Sequence, residues 1–472
     1  MACPDKEPPL TAWSLDPFYL IVDHSDWLTR LLPLGVKLVQ LRVKDRPEDE
    51  LRAEIARARD LCRAAGAQLV VNDYWRLAIE LGCDFVHLGQ SDLDTADIAV
   101  LRRHGLRFGV STHDDAELER ALALAPDYVA LGPVWPTLLK QMAFAPQGLD
   151  RLADWKKRAG EVPLVAIGGL TPGRACLALA SGADSACVVT DILRAPDPES
   201  RTVEWIAATA PWREAGELVD PFPPDHAGAS VLPSPNHGPR LRPVSALVLH
   251  YTGMPSAEGA LELLCSPIQE VSAHYVVEED GRVLQLVPEA RRAWHAGVSF
   301  WAGETDMNSA SIGVEIVHPG HIDPHPYPAA QIEALVALCR DICARRGIPP
   351  QRVLAHSDIA PRRKIDPGEF FPWDALAAAG VGLDVAAPAP DADADGALEL
   401  DMAGPAVSQV QRRLAAFGYK TAETGVYDEE TAAAVSAFQR HFRRARVDGR
   451  ADASTLDALA RLLDLSGAGH GG

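Results

Sequence analysis

Eight short apolar runs rich in β-branched residues recur along the first two hundred residues: FYLIVD, VKLVQLRV, AQLVVND, FVHLG, RFGVST, YVALGP, PLVAIGG and SACVVTDI. Segments with helical periodicity separate them, among them Pro47 to Ala65, Asp94 to His104 and Asp114 to Leu124. Eight strand–helix alternations in this length predict a closed parallel (β/α)8 TIM barrel over residues 1–212. The pattern then breaks. From 213 to 240 prolines cluster (PFPP, PSP) without sustained periodicity, which reads as a junction or extended lead-in, with Ser234 to Gly238 as a possible first loop of the next domain.

Over 241–383 the runs VSALVLHYTGM, SAHYVVEEDGRVLQLV and SIGVEIV read as strands, the second folded back at Glu279-Asp280-Gly281. Helical patterns cover Ala257 to Leu264 and Ala329 to Gly347, the latter with Ile332, Leu335, Val336, Leu338, Cys339 and Ile342 on one stripe. The expectation is an α/β fold around a central mixed sheet. Residues 384–398 include the acidic, proline-containing AAPAPDADADG and are expected to be a flexible linker. Three short amphipathic helices follow within 399–465, at Ala406 to Phe417, Glu429 to Phe442 and Ala453 to Leu463. They predict a small three-helix all-α domain with Tyr419, Phe438 and Phe442 in its core, ahead of a disordered tail at 466–472.

Composition narrows the function. A chain of 472 residues with 47% hydrophobic and 23% charged residues suits several globular domains, and its net charge of −20 argues against nucleic acid as a partner. The eight cysteines form no C-x-x-C pair, which suggests buried free thiols and a reducing compartment. The N-terminus lacks a signal-peptide pattern and no apolar run reaches membrane-span length, so a cytoplasmic chain without a transmembrane segment is expected.

The barrel's polar residues gather at the C-terminal ends of its strands: Gln40, Arg42 and Lys44; Asn72 and Asp73; Gln90 and Asp92; Ser111; Thr137 and Lys140; Gly168 and Gly169; Thr190. Arg42, Lys44 and Lys140 suit phosphate oxygens, Asp73 and Asp92 suit Mg²⁺ carried on a diphosphate, and the glycine pair permits close backbone approach to a second phosphate. Small phosphorylated substrates are the expected ligands. The motifs QLRVK, VNDYWRLA, VHLGQSD, GVSTH, GPVWPTLLK and VAIGGLT resemble thiamine phosphate synthase, in order and across the whole segment. The resemblance implies that Mg²⁺ and cations draw pyrophosphate from hydroxymethylpyrimidine diphosphate and that thiazole phosphate captures the cation left behind. It also implies that Gln40, Arg42, Lys44, Asn72, Ser111 and Lys140 hold the diphosphate, Asp73 and Asp92 the metal, and Thr137, Gly169, Val189 and Thr190 the thiazole partner. One position departs from the family loop: Leu139 stands where a second threonine is common, removing a phosphate donor.

A different chemistry marks the second region. His250 at a strand end, His356 after another short strand and Asp366 ten positions later make a two-histidine, one-carboxylate set that suits catalytic zinc with an open fourth position. Glu315 is the candidate general base and Lys364 the candidate oxyanion stabiliser. LVLHYTGM, SAHYVV, AWHAG, NSASIGVEI and AHSDIAPRRKIDPG resemble the zinc N-acetylmuramoyl-L-alanine amidases of the type-2 amidase family. That resemblance implies cleavage of the amide between N-acetylmuramic acid and L-alanine, with His274 and His295 in substrate contact. VSQVQRRLAAFGY, TGVYDEETAAAVSAFQRHF and VDGRADASTLDAL resemble the peptidoglycan-binding domain of wall hydrolases, whose role is affinity.

Together these features describe a bifunctional transferase and hydrolase acting independently on phosphate substrates and on peptidoglycan or muropeptides, with a cell-envelope location open to the amidase part. The competing readings are that one or both halves bind without turnover, or that the frame joins two neighbouring genes.

Overall fold

Each apolar run of the first region forms a strand: β1 (Phe18–Val22), β2 (Leu38–Leu41), β3 (Gln68–Asn72), β4 (Phe85–Leu88), β5 (Arg107–Thr112), β6 (Tyr128–Leu131), β7 (Leu164–Ile167) and β8 (Ser185–Val188). In the computed structural model, which describes residues 15–137, 145–214, 222–389 and 396–467, every strand pairs in parallel with the next and β8 closes on β1. The strands are buried on both faces, by the barrel interior and by the surrounding helices, which is why they read as unbroken apolar runs. Sequence punctuation sets the helix ends: Asp97, Asp114 and Thr171 side chains accept N–H groups of their first turns, and left-handed Gly66 ends Glu48–Ala65. This barrel lies in one compact unit, Met1–Val219, and the rest of the chain in another, Asp220–Gly472.

The second unit is built on a six-stranded mixed sheet of order β16-β11-β15-β12-β13-β9. Its strands are β9 (Ala229–Val231), β11 (Ala246–Tyr251), β12 (Tyr275–Val277), β13 (Val283–Gln285), β15 (Ser311–Ile316) and β16 (Val353–Ala355); β10 (His237–Pro239) and β14 (Arg291–Ala293) form a separate antiparallel pair. The junction is therefore structured from residue 222 onward. β9 and β10 both lie before residue 241, and buried Asn236 donates to the carbonyls of Ser266 and Val271 at 2.8 and 2.7 Å.

Alternation along the central strands assigns the two faces. Leu247, Leu249, Ile312, Val314 and Ile316 pack with Leu335, Leu338, Cys339 and Ile342 of helix Ala329–Arg346. Ala246, Val248 and Leu354 face the other way, into a core shared with the three C-terminal helices, Pro405–Phe417, Glu429–Phe442 and Ala453–Ser466. Trp301 packs edge-on against Phe417 and Tyr419, at centroid distances of 5.6 and 5.0 Å. Residues 390–395 of the expected linker, and 468–472 of the expected tail, lie outside the described residues. The bundle beyond the linker is docked on the six-stranded sheet domain, with Tyr419, Phe438 and Phe442 buried. Among the described residues the seven cysteines are free, and no helix is long and apolar enough to cross a membrane.

Candidate active sites

At the C-terminal mouth of the barrel, Gln40, Arg42, Lys44, Asn72, Asp73, Asp92 and Ser111 line one cavity of about 420 Å³. An adjoining cavity of about 1120 Å³ is lined by Thr137, Gly169, Val189 and Thr190, and again by Arg42 and Ser111. The structure thus brings together every barrel residue singled out from the sequence except Lys140, which, with Leu139, lies outside the described residues. Gly168 and Gly169 adopt φ of +99° and +69°, and a Cβ on Gly169 would stand 2.5 Å from the Pro136 carbonyl oxygen.

The electrostatics of this mouth suit a hard cation. Asp73 is ion-paired to Lys44, and Asp92 accepts the Gly89 N–H at 3.0 Å. Burial, and next the neighbouring Asp73 carboxylate, raise the Asp92 carboxyl above its ordinary range. Two carboxylates in mutual reach beside a cationic wall would suit a hard divalent cation. The buried amide nitrogen of Asn72 has no hydrogen-bond partner among the described residues, which leaves a donor for a ligand.

Sequence reading missed the floor beneath these groups. Gln40 donates to the Tyr19 hydroxyl at 3.0 Å, Tyr19 meets Tyr128 at 3.0 Å, and His87 bridges Tyr128 and Ser111 at 2.7 Å on each nitrogen. Burial pulls His87 down to about 4, so a neutral ring links Ser111 to this chain. The one available signal was a histidine inside the apolar run FVHLG.

In the second unit, register assembles the centre. His250 pairs with Glu315 across β11 and β15, and Leu249 with Ala355 across β11 and β16, so His356, His250 and Glu315 stand level at adjacent strand ends. The Nδ1 atoms of His250 and His356 are 2.8 Å apart, and Oδ2 of Asp366 lies 3.2 and 3.0 Å from them. All three residues are buried. Burial would raise the Asp366 carboxyl, but His356 and His250 hold it well below the usual range.

The outer hydrogen bonds define both tautomers. His356 Nε2 faces the Ala296 carbonyl at 3.2 Å, which can only accept, so Nδ1 presents a lone pair. The Ser311 hydroxyl donates to the Met307 carbonyl at 2.5 Å, which leaves its oxygen to accept from His295 Nε2 at 3.3 Å. His295 Nδ1 then accepts from His250 Nε2 at 3.0 Å, and His250 Nδ1 also presents a lone pair. Two imidazole lone pairs and a carboxylate oxygen converging in a buried site repel one another unless a cation lies between them, and this donor set suits zinc.

Glu315 Oε2 is buried without a hydrogen-bond partner among the described residues. Burial, then the Asp366 charge, push its carboxyl well above the ordinary range, while Lys364 opposes them. The two remaining histidines do not sit as a substrate-contact assignment expects. His274 is fully buried, its Nδ1 accepting the Gly313 N–H at 2.9 Å and its Nε2 meeting the Arg291 carbonyl at 3.1 Å. His295 lies over Gly313, where any Cβ would come within 2.3 Å of its ring, and its nitrogens serve the relay. Burial depresses both rings, His274 to about 3.

Comparison with known proteins matches three separate segments of the chain. A thiamine monophosphate synthase family model matches residues 18–192, an N-acetylmuramoyl-L-alanine amidase model 240–369, and a peptidoglycan binding domain model 403–459. A thiamine-phosphate synthase of Rhizobium etli is 69% identical over 202 residues, covering 43% of this chain and 99% of that protein. One from Cronobacter sakazakii is 52% identical over 179 residues, covering 38% of this chain and 85% of its own length. The second unit is similar to the Escherichia coli N-acetylmuramyl-L-alanine amidase AmiD, solved with anhydro-N-acetylmuramic acid-L-Ala-D-gamma-Glu-L-Lys. That likeness has 37% identity and a TM-score of 0.40, covering 48% of this chain and 90% of that one.

Proposed function

Because the chain belongs to the thiamine-phosphate synthase family through its first unit and carries an N-acetylmuramoyl-L-alanine amidase domain in its second, we propose a bifunctional enzyme with two independent reactions. The first condenses hydroxymethylpyrimidine diphosphate with thiazole phosphate to thiamine phosphate and pyrophosphate. The observation that carries it is identity of 69% spanning 99% of a thiamine-phosphate synthase. Gln40, Arg42, Lys44, Asn72, Ser111 and Lys140 hold the diphosphate, while Thr137, Gly169, Val189 and Thr190 receive the thiazole partner. Arg42 and Ser111 line both cavities, so the substrates meet between them. Asp73 and Asp92 would hold Mg²⁺, which when bound neutralises charge on the leaving diphosphate. The protein contributes position and a fixed electrostatic environment.

The second reaction hydrolyses the N-acetylmuramoyl-L-alanine amide of peptidoglycan or muropeptides. Three buried donors converging within 4.8 Å of one another carry this assignment. His250, His356 and Asp366 would hold Zn²⁺, which when bound polarises the scissile carbonyl and acidifies water. Glu315 takes the proton of the attacking water and passes it to the departing amine; Lys364 stabilises the oxyanion. The helical domain supplies affinity for the polymer.

Purified protein supplied with Mg²⁺ and both precursors should form thiamine phosphate, and Asp73→Ala should abolish it. Zinc-loaded protein should release stem peptide, and Asp366→Ala should lose both zinc and release. Saturable binding of either substrate without product would replace the corresponding reaction with a binding role. Intact sacculi and soluble muropeptides, assayed side by side, identify the preferred amidase substrate.

A further inference from the structure

Asp358 sits two residues after His356 on the single helical turn His356–Ile359, with 1% of its surface exposed. A carboxylate at that depth persists only with compensating donors, and its donors come from two modules. Oδ2 accepts the Ala355 N–H at 2.8 Å, which closes the turn on itself. The other two partners belong to the C-terminal helical module: the Tyr419 hydroxyl donates to Oδ1 at 2.6 Å, and His441 Nδ1 meets Oδ2 at 2.7 Å.

Neither donor is free to wander. The His441 ring is stacked between Trp373 at 3.6 Å and Phe442 at 3.8 Å, and Tyr419 is wedged against Trp301. The turn they grip begins with one of the three convergent donors, and its Ser357 N–H donates to the backbone oxygen of Asp366, another of them, at 3.0 Å. A four-residue turn cannot hold its own geometry, because one helical turn does not recover the entropy of its nucleation. The clamp from the helical module provides what the turn lacks.

We propose that Tyr419 and His441 are positioning residues of the amidase metal centre, so that the peptidoglycan-binding module completes the amidase domain as well as adding affinity for the wall. The proposal rests on the amidase reading of the second unit, and its test separates the two. Full-length Tyr419→Phe and the double variant Tyr419→Phe/His441→Phe keep the ring stacking and remove the donors.

Zinc affinity is measured by chelator competition, binding to purified sacculi by co-sedimentation, and turnover with a small soluble muropeptide that polymer affinity does not influence. The expected result is a loss of zinc affinity of roughly 10- to 100-fold in the double variant, with sacculus binding unchanged and kcat falling more than KM changes. Zinc affinity equal to the parent's overturns the proposal, even if the variant melts earlier, because the contacts would then be an interface alone. Should the double variant fail to fold, Tyr419→Phe decides on the same readout. A parent protein that binds zinc but releases no stem peptide overturns the amidase reading instead, and leaves the zinc comparison standing.

Discussion

Replacing Ser311 with alanine removes one oxygen that stands two hydrogen bonds away from His250, and the hydrogen-bond chain should convert that deletion into lost zinc affinity. In the parent, Ser311 receives His295 Nε2–H at 3.3 Å, His295 receives His250 Nε2–H at 3.0 Å, and the His250 Nδ1 lone pair is thereby directed at the centre. Without the serine oxygen, His295 has two choices. It can keep its proton on Nε2 as an unpaired buried donor, or move it to Nδ1, where it confronts the His250 proton and drives that proton onto the metal-facing nitrogen. The metal-free protein can relax into the second arrangement, with a proton lodged between His250, His356 and Asp366; the loaded protein cannot. An unpaired buried donor costs about 1–3 kcal/mol, which corresponds to roughly 5- to 150-fold in zinc Kd. Ser311 is fully buried and alanine fits its site, so packing changes little. Chelator competition on zinc-free protein, with circular dichroism to verify the fold, measures the effect. Affinity within twofold of the parent would refute the tautomer relay.

Glu315→Gln should leave zinc affinity near the parent value and lower stem-peptide release by roughly 10²- to 10⁴-fold, as expected for loss of a general base; unchanged turnover removes Glu315 from the chemistry. Gly169→Ala forces a side chain into a backbone with φ of +69° and against the Pro136 oxygen, a strain of about 1–2 kcal/mol or more, and should raise KM for thiazole phosphate while circular dichroism stays unchanged. Buried Glu289 accepts two bonds from Arg345 at 2.8 Å, one from Arg346 at 2.6 Å and one from Tyr275 at 2.7 Å. Burial alone would raise its carboxyl, yet these donors hold it at about 2 against an ordinary 4.5. Because the folded value is the lower one, its contribution of about 3 kcal/mol is complete above pH 4.5 and is lost as pH falls towards 2. Denaturant titrations of the second unit's unfolding should show that slope in the parent and lack it in Glu289→Gln; identical slopes would remove Glu289 as its source.

Much of the candidate site was legible because barrel strands carry their polar residues at one end. A run such as VNDY or VHLGQSD switches from apolar to polar where the strand leaves the core, so Asn72, Asp73 and Asp92 announced themselves. His250 and Glu315 were legible for a similar reason, as polar residues in the strand phase opposite the helix-facing leucines and isoleucines. His274 and His295 show the limit. The family resemblance implied substrate contact for them, whereas the fold buries them over and beside Gly313, and only the packed structure contains Gly313 as the floor for the His295 ring.

Local pattern by itself determined the elements, their order and the types of side chain available for phosphate and zinc chemistry, since periodicity and strand-end polarity are properties of a few consecutive residues. Tertiary structure decided what no short window holds. It set the register that levels His250, Glu315 and His356, chose the tautomers through Ser311 and Ala296, and wove the proline-rich stretch after residue 222 into the sheet. It also seated the C-terminal helices on the turn that carries His356, through a buried carboxylate 61 and 83 residues away from its partners. Those contacts cost chain entropy that distant burial alone recovers, so their existence depends on the whole core and not on the residues nearby.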